Sequence, residues 1–204
     1  MKVLVIGSGA REHALVTSLI ADESVSEVVA APGNAGMAAV VRTIDVDLAD
    51  PRAIAALAAD EGVDLVVVGP EGPLVAGAAD AVRAKGIPCF GPSAAAAQLE
   101  GSKAFAKQVM AEAGVPTSMA HVCTTVDEVA AAMDQFGAPY VIKDDGLAAG
   151  KGVVVTSDRA EALAHARSCL ARGNDAQVVV EEFLDGPEVS LFGITDGSTV
   201  LALQ

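Results

Sequence analysis

Along residues 1–92, short apolar runs alternate with Ala-rich amphipathic stretches, and the alternation predicts strands and helices in turn. Lys2–Ile6 reads as a strand, Arg11–Ile20 as a helix and Glu27–Ala31 as a second strand. Asp50 is placed to cap a helix that opens on Pro51 and stops at Gly62. Val63–Gly69 follows as a strand, Pro73–Gly86 as a helix and Ile87–Gly91 as a strand. This order predicts parallel strands joined by crossovers, a doubly wound α/β sheet.

From Gly91 the pattern changes. A helical connector runs through Gly101 into a second helix, which Ser102 can cap and Gly114–Pro116 ends. Met119–Cys123, Tyr140–Asp144, Gly152–Thr156, Gln177–Phe183 and Glu188–Ile194 then read as strands. Two helices interleave: Thr124–Gly137, opened by a Thr125–Glu128 capping box, and Ser157–Gly173. Thr195–Thr199 reads as a hairpin turn into a last strand, Thr199–Leu203. Hairpins with helices predict an α+β second domain with an antiparallel sheet. Neither a repeat nor a disordered tract is visible.

Composition supports the first half of this picture. Hydrophobic residues make up 52% of the 204, aromatics only 3%, and Trp is absent. A core of Ala, Val, Leu and Ile suits helices packed on parallel strands buried on both faces. No apolar run approaches the ~20 residues of a membrane span. The opening MKVLVIG leads straight into a strand without a small-residue cleavage site, so no signal peptide and a cytoplasmic location are expected. Cys89, Cys123 and Cys169 form no CxxC pair and read as buried thiols in a reducing compartment.

The net charge of −14 argues against a nucleic-acid surface, which shows as a basic patch. It leaves room for a small anionic ligand. Exposed charges are screened over roughly 8 Å, whereas a lysine about 4 Å from a phosphate gains on the order of 4 kcal/mol before desolvation.

Four glycine-rich turns are candidates for holding such a ligand. In VIGSGAREH, Gly7 and Gly9 follow a strand and precede a helix, where backbone N–H groups and the helix dipole receive phosphates. Glu12 stands where the third glycine of G-x-G-x-x-G belongs, and the second strand ends in Ala30, Ala31 and Pro32. Glu27, the nearest acid, begins that strand. Both departures argue against an NAD site. Arg11 lies in the first helical turn, where the dipole disfavours a cation, and so points to an anion to bind. His13 reads as a structural histidine. APGNAGMA and VGPEGPLVAG lie at carboxyl ends of strands, with Asn34 and Glu71 as hydrogen-bonding groups; ordinary βα loops are the competing reading.

The fourth turn is VIKDDGLAAGKGVVV, Val141–Val155. Gly146 and Gly150 are one residue too close for a Walker A loop, Gly152 replaces its Ser/Thr, and a strand follows instead of a helix. The pattern is a strand–glycine loop–strand flap of the kind that folds over phosphates and excludes water. Alternation puts Lys143 on the face opposite Ile142, and Lys151 lies in the loop.

These segments, with FGPS, LEGSKAF and EEFLDG, resemble the phosphoribosylamine–glycine ligase (glycinamide ribonucleotide synthetase) family, in order over essentially all 204 residues. The resemblance implies an N-terminal α/β domain (1–102), a linker helix (103–117), an ATP-grasp lid (118–193) and the start of a further subdomain (194–204). It implies that Lys103 and Lys143 contact ATP phosphates beneath a loop of Gly146, Leu147, Ala148, Ala149, Gly150, Lys151 and Gly152. Glu181, Glu182, Phe183 and Leu184 would form the adenine hinge, with Glu188 at the ribose. Gly9, Arg11, Asn34, Gly36 and Glu71 would lie at the phosphoribosylamine side.

The implied reaction joins glycine to 5-phosphoribosylamine at the expense of ATP, with Mg2+ or Mn2+ bridging the phosphates. A cytoplasmic monomer without nucleic-acid or membrane partners is expected. Two positions depart from the family: Asp144 where Ala is more common, of little expected effect, and Gly72 in place of Ala. The rest of the ATP-grasp fold, with the catalytic residues and metal ligands, is expected beyond Gln204, so this stretch by itself is expected to be inactive. The alternatives are another ATP-grasp ligase or carboxylase, and a non-catalytic nucleotide-binding module.

Overall fold

The computed structural model of the chain describes residues 1–147 and 152–203. Its first half runs β1 (Lys2–Gly7), α1 (Ala10–Ile20), β2 (Glu27–Pro32), α2 (Ala35–Ala38), β3 (Arg42–Thr43), α3 (Pro51–Asp60), β4 (Leu65–Val68), α4 (Glu71–Val75), α5 (Ala78–Arg83) and β5 (Cys89–Phe90). These strands form a five-stranded sheet in the order β3-β2-β1-β4-β5, with every pairing parallel.

Alternation along β1 sends Leu4 and Ile6 to the face covered by Ile54, Leu74 and Val82, while Val3 and Val5 meet Val16 and Met37 on the other. Burial of such side chains contributes about 1.5–3 kcal/mol each. Strand β1 is central, so its carboxyl end lies between those of β2 and β4. The turns after these three strands therefore share one edge of the sheet.

The expected cap of α3 is present: Asp50 accepts from the N–H groups of Arg52 and Ala53 at 2.9 and 3.2 Å, with Pro51 at the first helical position. The expected helix Pro73–Gly86 is instead two helices. Gly77, at φ +98°, adopts a left-handed conformation that ends α4 and turns the chain into α5. Helix α4 begins at Glu71, which places this carboxylate beside the end of β4. Helix α2 and strand β3 fall in a stretch with no predicted element. The helix is a single turn capped by Asn34, and the strand is a polar pair, so neither carries a period to detect.

The second half runs α6 (Ala94–Gly101), α7 (Lys103–Ala113), β6 (Ala120–Cys123), α8 (Val126–Phe136), β7 (Tyr140–Asp144), β8 (Val153–Thr156), α9 (Arg159–Leu170), β9 (Val178–Glu181), β10 (Gly193–Thr195) and β11 (Val200–Ala202). Strands β6-β9-β7-β8 form a four-stranded antiparallel sheet. Helices α8 and α9 cover one face, packing Met133, Ala162 and Ala166 on Ile142, Val178 and Val180. The intervening residues Lys143 and Glu181 therefore face the other way.

The predicted strand Glu188–Ile194 is corrected. Among the described residues only Gly193–Thr195 pairs as a strand, with β11; the Phe192 carbonyl accepts the Leu203 N–H at 2.8 Å just beyond that ladder, and Val189, Leu191 and Phe192 are exposed. Of the three cysteines expected to be buried, Cys123 and Cys169 are, and Cys89 is only half-buried.

Candidate functional site

Two loops after adjacent parallel strands form one wall of the site. At the β1–α1 turn Gly9 caps the helix in an extended conformation, and Glu12, three residues on, folds back so that its Oε2 accepts the Gly9 N–H at 2.6 Å. The Arg11 side chain projects outward and donates to Glu71 Oε1 at 2.8 Å. This hydrogen bond holds the Glu71 carboxyl below the usual carboxylate range. The anion that answers Arg11 is thus a carboxylate of the chain itself.

Asn34 accepts the Met37 N–H at 3.0 Å and donates from Nδ2 to the Ser8 carbonyl at 3.0 Å, tying two loops together. Gly36 is small for a packing reason, since a Cβ there would fall 2.5 Å from the half-buried His13 ring.

The opposite wall comes from α7 and the antiparallel sheet. Ser102 caps α7 by accepting the Phe105 N–H at 3.1 Å. Asp145, just past the end of β7, accepts from Ser102 Oγ at 3.0 Å and from the Ala104 N–H at 3.1 Å. The start of the glycine-rich loop is thereby fastened to the helix N-terminus, where the dipole favours a carboxylate. Lys103 donates to the Gly146 carbonyl at 2.9 Å.

Lys143 donates to Glu181 Oε2 at 2.9 Å across the cleft face of β7 and β9, and Ser118 Oγ donates to the same oxygen at 2.7 Å. Burial would push the Glu181 carboxyl up, but the Ser118 hydroxyl and the Lys143 ammonium outweigh it and hold this group below the usual range. Lys107, one turn along α7 from Lys103, donates to Thr117 Oγ1, the Ser118 carbonyl and Ser118 Oγ at 2.8, 2.9 and 2.7 Å. An ammonium has three donors, so Lys107 is spent on holding the segment before β6. Lys103 and Lys143 each have one such bond among the described residues.

Between these walls lies a cleft of about 1010 Å3. Arg11 and Glu71 line it from the parallel-sheet side, Lys103, Lys107, Lys143 and Glu181 from the other, with Gly146, Leu147 and Gly152 at the glycine-rich loop and Leu184 just after β9. Gly9, Asn34 and Gly36 sit on the adjoining sheet edge and are not part of its lining. Glu182 is turned toward β6, where its Oε1 accepts the Met119 N–H at 2.8 Å, while Phe183 and Glu188 are exposed outside the cleft. Ala148, Ala149, Gly150 and Lys151 lie outside the described residues.

Sequence reasoning misses Lys107, Ser118 and Asp145. The i, i+4 spacing of Lys103 and Lys107 places both on one helix face and was a usable signal. Nothing local marks Ser118, which is defined by a strand more than sixty residues away.

Asp144 turns away from the cleft, as alternation predicts, to the Arg172 guanidinium. Among the described residues no cluster of three or more His, Cys, Asp or Glu could hold a metal ion, and no helix is long and apolar enough to cross a membrane. Buried Cys169 lies 3.5 Å from His165 Nε2, yet burial pushes its thiol up, so the pair lacks the thiolate a nucleophile needs.

Residues 1–100 match the family model of the phosphoribosylglycinamide synthetase N domain, and residues 101–204 that of the phosphoribosylglycinamide synthetase ATP-grasp (A) domain. The chain is 64% identical over 204 residues to the phosphoribosylamine–glycine ligase of Streptomyces coelicolor and 60% identical over 205 residues to that of Leifsonia xyli, covering 100% of this chain and 48% of each relative. The crystal structure of phosphoribosylamine–glycine ligase from Thermotoga maritima superposes with a TM-score of 0.81 at 29% identity, covering 100% of this chain and 49% of that one. The chain thus spans about half the length of the curated relatives it matches.

Proposed function

The chain belongs to the phosphoribosylglycinamide synthetase family, and from that premise we propose that it supplies the nucleotide- and amine-binding cleft of an ATP-dependent ligase joining glycine to 5-phosphoribosylamine. In that reaction the glycine carboxylate attacks the γ-phosphoryl group of ATP, and ADP leaves. The sugar amine then attacks the resulting acyl phosphate and expels phosphate, forming the amide bond. Such chemistry needs positioning and charge neutralisation more than a protein nucleophile.

One observation carries the reading: two ammonium groups, Lys103 and Lys143, each with one hydrogen bond among the described residues, meet in one cleft beside a glycine-rich loop, facing Arg11 and Glu71. The lysines are placed to neutralise a triphosphate, the loop to shut water away from an acyl phosphate, and Arg11 with Glu71 to receive the sugar. Leu184 would pack against adenine at the cleft end of β9. A divalent cation bound with ATP would offset phosphate charge, but the described residues supply no ligand set for it, so no step is assigned to protein–metal contacts. A cytoplasmic setting is inferred from purine biosynthesis by the family.

The test is ADP release by the chain extended to the length of its relatives. Release that requires both glycine and phosphoribosylamine supports the assignment. Equal release with formate or bicarbonate, or none with glycine, overturns it.

A further inference from the structure

Glu12 is 3% exposed, and its Oε1 is a buried oxygen without a hydrogen-bond partner. Its Oε2 has one, the Gly9 N–H at 2.6 Å. Three glycines wall the carboxyl group: a Cβ at Gly69 would fall 2.3 Å from Oε1, one at Gly7 2.6 Å from Cγ, and one at Gly9 2.7 Å from Oε2. Gly9 has φ −85°, and Gly69 is not among the positive-φ glycines, so space rather than backbone conformation requires glycine at both positions. The turn is therefore shaped around this side chain. A buried, half-satisfied carboxylate is a costly filler where an apolar residue would pack more cheaply. What a carboxylate adds is negative charge against the N-terminus of an 11-residue helix, the place where a nucleotide phosphate docks in related turn geometries.

We infer that Glu12 is a built-in anion: it occupies the phosphate seat of the β1–α1 turn, so that this turn admits no phosphate. Glu12 acts as a specificity determinant and touches no reacting atom. The inference stands apart from the ligase assignment, because the turn's occupancy does not depend on which reaction the cleft performs.

The experiment uses inorganic phosphate as the probe and follows the amide signals of Gly7–Ala10 by NMR, with thermal unfolding in parallel at constant ionic strength. In the unsubstituted chain these amides should not move. In Glu12→Ala, and in Glu12→Gly, which recreates G-x-G-x-x-G, they should titrate, with phosphate binding roughly tenfold or more tighter and raising the unfolding temperature. Glu12→Gln, which keeps the shape and loses the charge, should stay closed to phosphate but unfold at a lower temperature than the parent. An unchanged unfolding temperature would overturn the role of the charge.

Movement of the unsubstituted amides would overturn the inference, as would the absence of any gain in Glu12→Ala and Glu12→Gly. Equal gain in Glu12→Gln would also overturn it, by showing that the seat is not filled by shape. A Glu12→Ala chain that folds only with phosphate supports it. One that stays unfolded with phosphate counts against it, since an external anion then cannot take the carboxylate's place.

Discussion

Two glycine-rich turns leave strands in this chain, and they are completed in opposite ways. After β1 the glycines close around a carboxylate of the same turn, with three hypothetical Cβ positions colliding with Glu12. After β7 a Cβ on Gly146 would meet, among the described residues, nothing nearer than the Gly101 carbonyl at 4.0 Å, and the Gly146 carbonyl accepts from the Lys103 ammonium at 2.9 Å. A glycine-rich turn is thus ambiguous until the side chain that fills or lines it is known. The first is shut by an anion, whereas the second, at Gly146, has free space at the Cβ position and bonds to a cation.

The largest expected effect tests the cationic turn. Lys143→Ala should weaken binding of a non-hydrolysable ATP analogue by roughly 10- to 100-fold, about 1.5–3 kcal/mol for a hydrogen bond to a charged group. Its urea midpoint should move little, because Glu181 keeps Ser118 as a donor. Lys107→Ala should do the reverse, since its three donors hold Thr117 and Ser118. Calorimetric titration and urea unfolding of the two variants separate these roles, and matching losses of affinity would erase the distinction between a spent and an available lysine.

The closed turn is tested by Gly69→Ala. Overpacking of this kind costs about 1–3 kcal/mol, and the expectation is a loss in that range by urea unfolding, largely recovered in the Glu12→Ala/Gly69→Ala double variant. Non-additivity of this sign is what direct contact requires. Gly146→Ala provides the counterpart. At φ +113° its cost is conformational rather than steric, of order 1–3 kcal/mol, and Glu12→Ala should leave it untouched.

The same pair of turns shows what could be read from the residues and what could not. Local chemistry was legible. The Asp50–Pro51 start of α3, the Thr125–Glu128 box of α8 and the inward face of Lys143 each follow from neighbours a few positions away. The break at Gly77 was not, because Ala on either side continues the helical period through it. Nor was the fate of Glu188–Phe192, whose apolar pattern suits a strand but cannot supply a partner. Glu12 is the sharpest case. In the sequence it is the absence of a glycine, whereas the structure makes it the occupant of a slot whose far wall, Gly69, comes from another strand. The Arg11 cation, read as awaiting an external anion, likewise finds Glu71 in the next loop of the sheet edge.

The smallest expected effect concerns that last pair. Arg11 has a side chain 72% exposed, and Glu71 38%, so their 2.8 Å contact is a surface ion pair worth no more than about 1 kcal/mol and weakened by salt. Because Arg11 holds the folded-state carboxyl of Glu71 below its usual range, the contribution is present above the unfolded-state pKa of roughly 4.3 and disappears as the pH falls through the lower folded-state value. Urea midpoints of the parent chain and Glu71→Gln should therefore differ slightly at neutral pH and converge in strong acid. If the pair exists to receive a sugar amine rather than to stabilise the fold, Glu71→Gln should still impair the ligase reaction of the extended chain far more than this small stability change predicts. A stability loss well above 1 kcal/mol would instead make Arg11 a structural cation, and the cleft's first wall would be a brace between two loops.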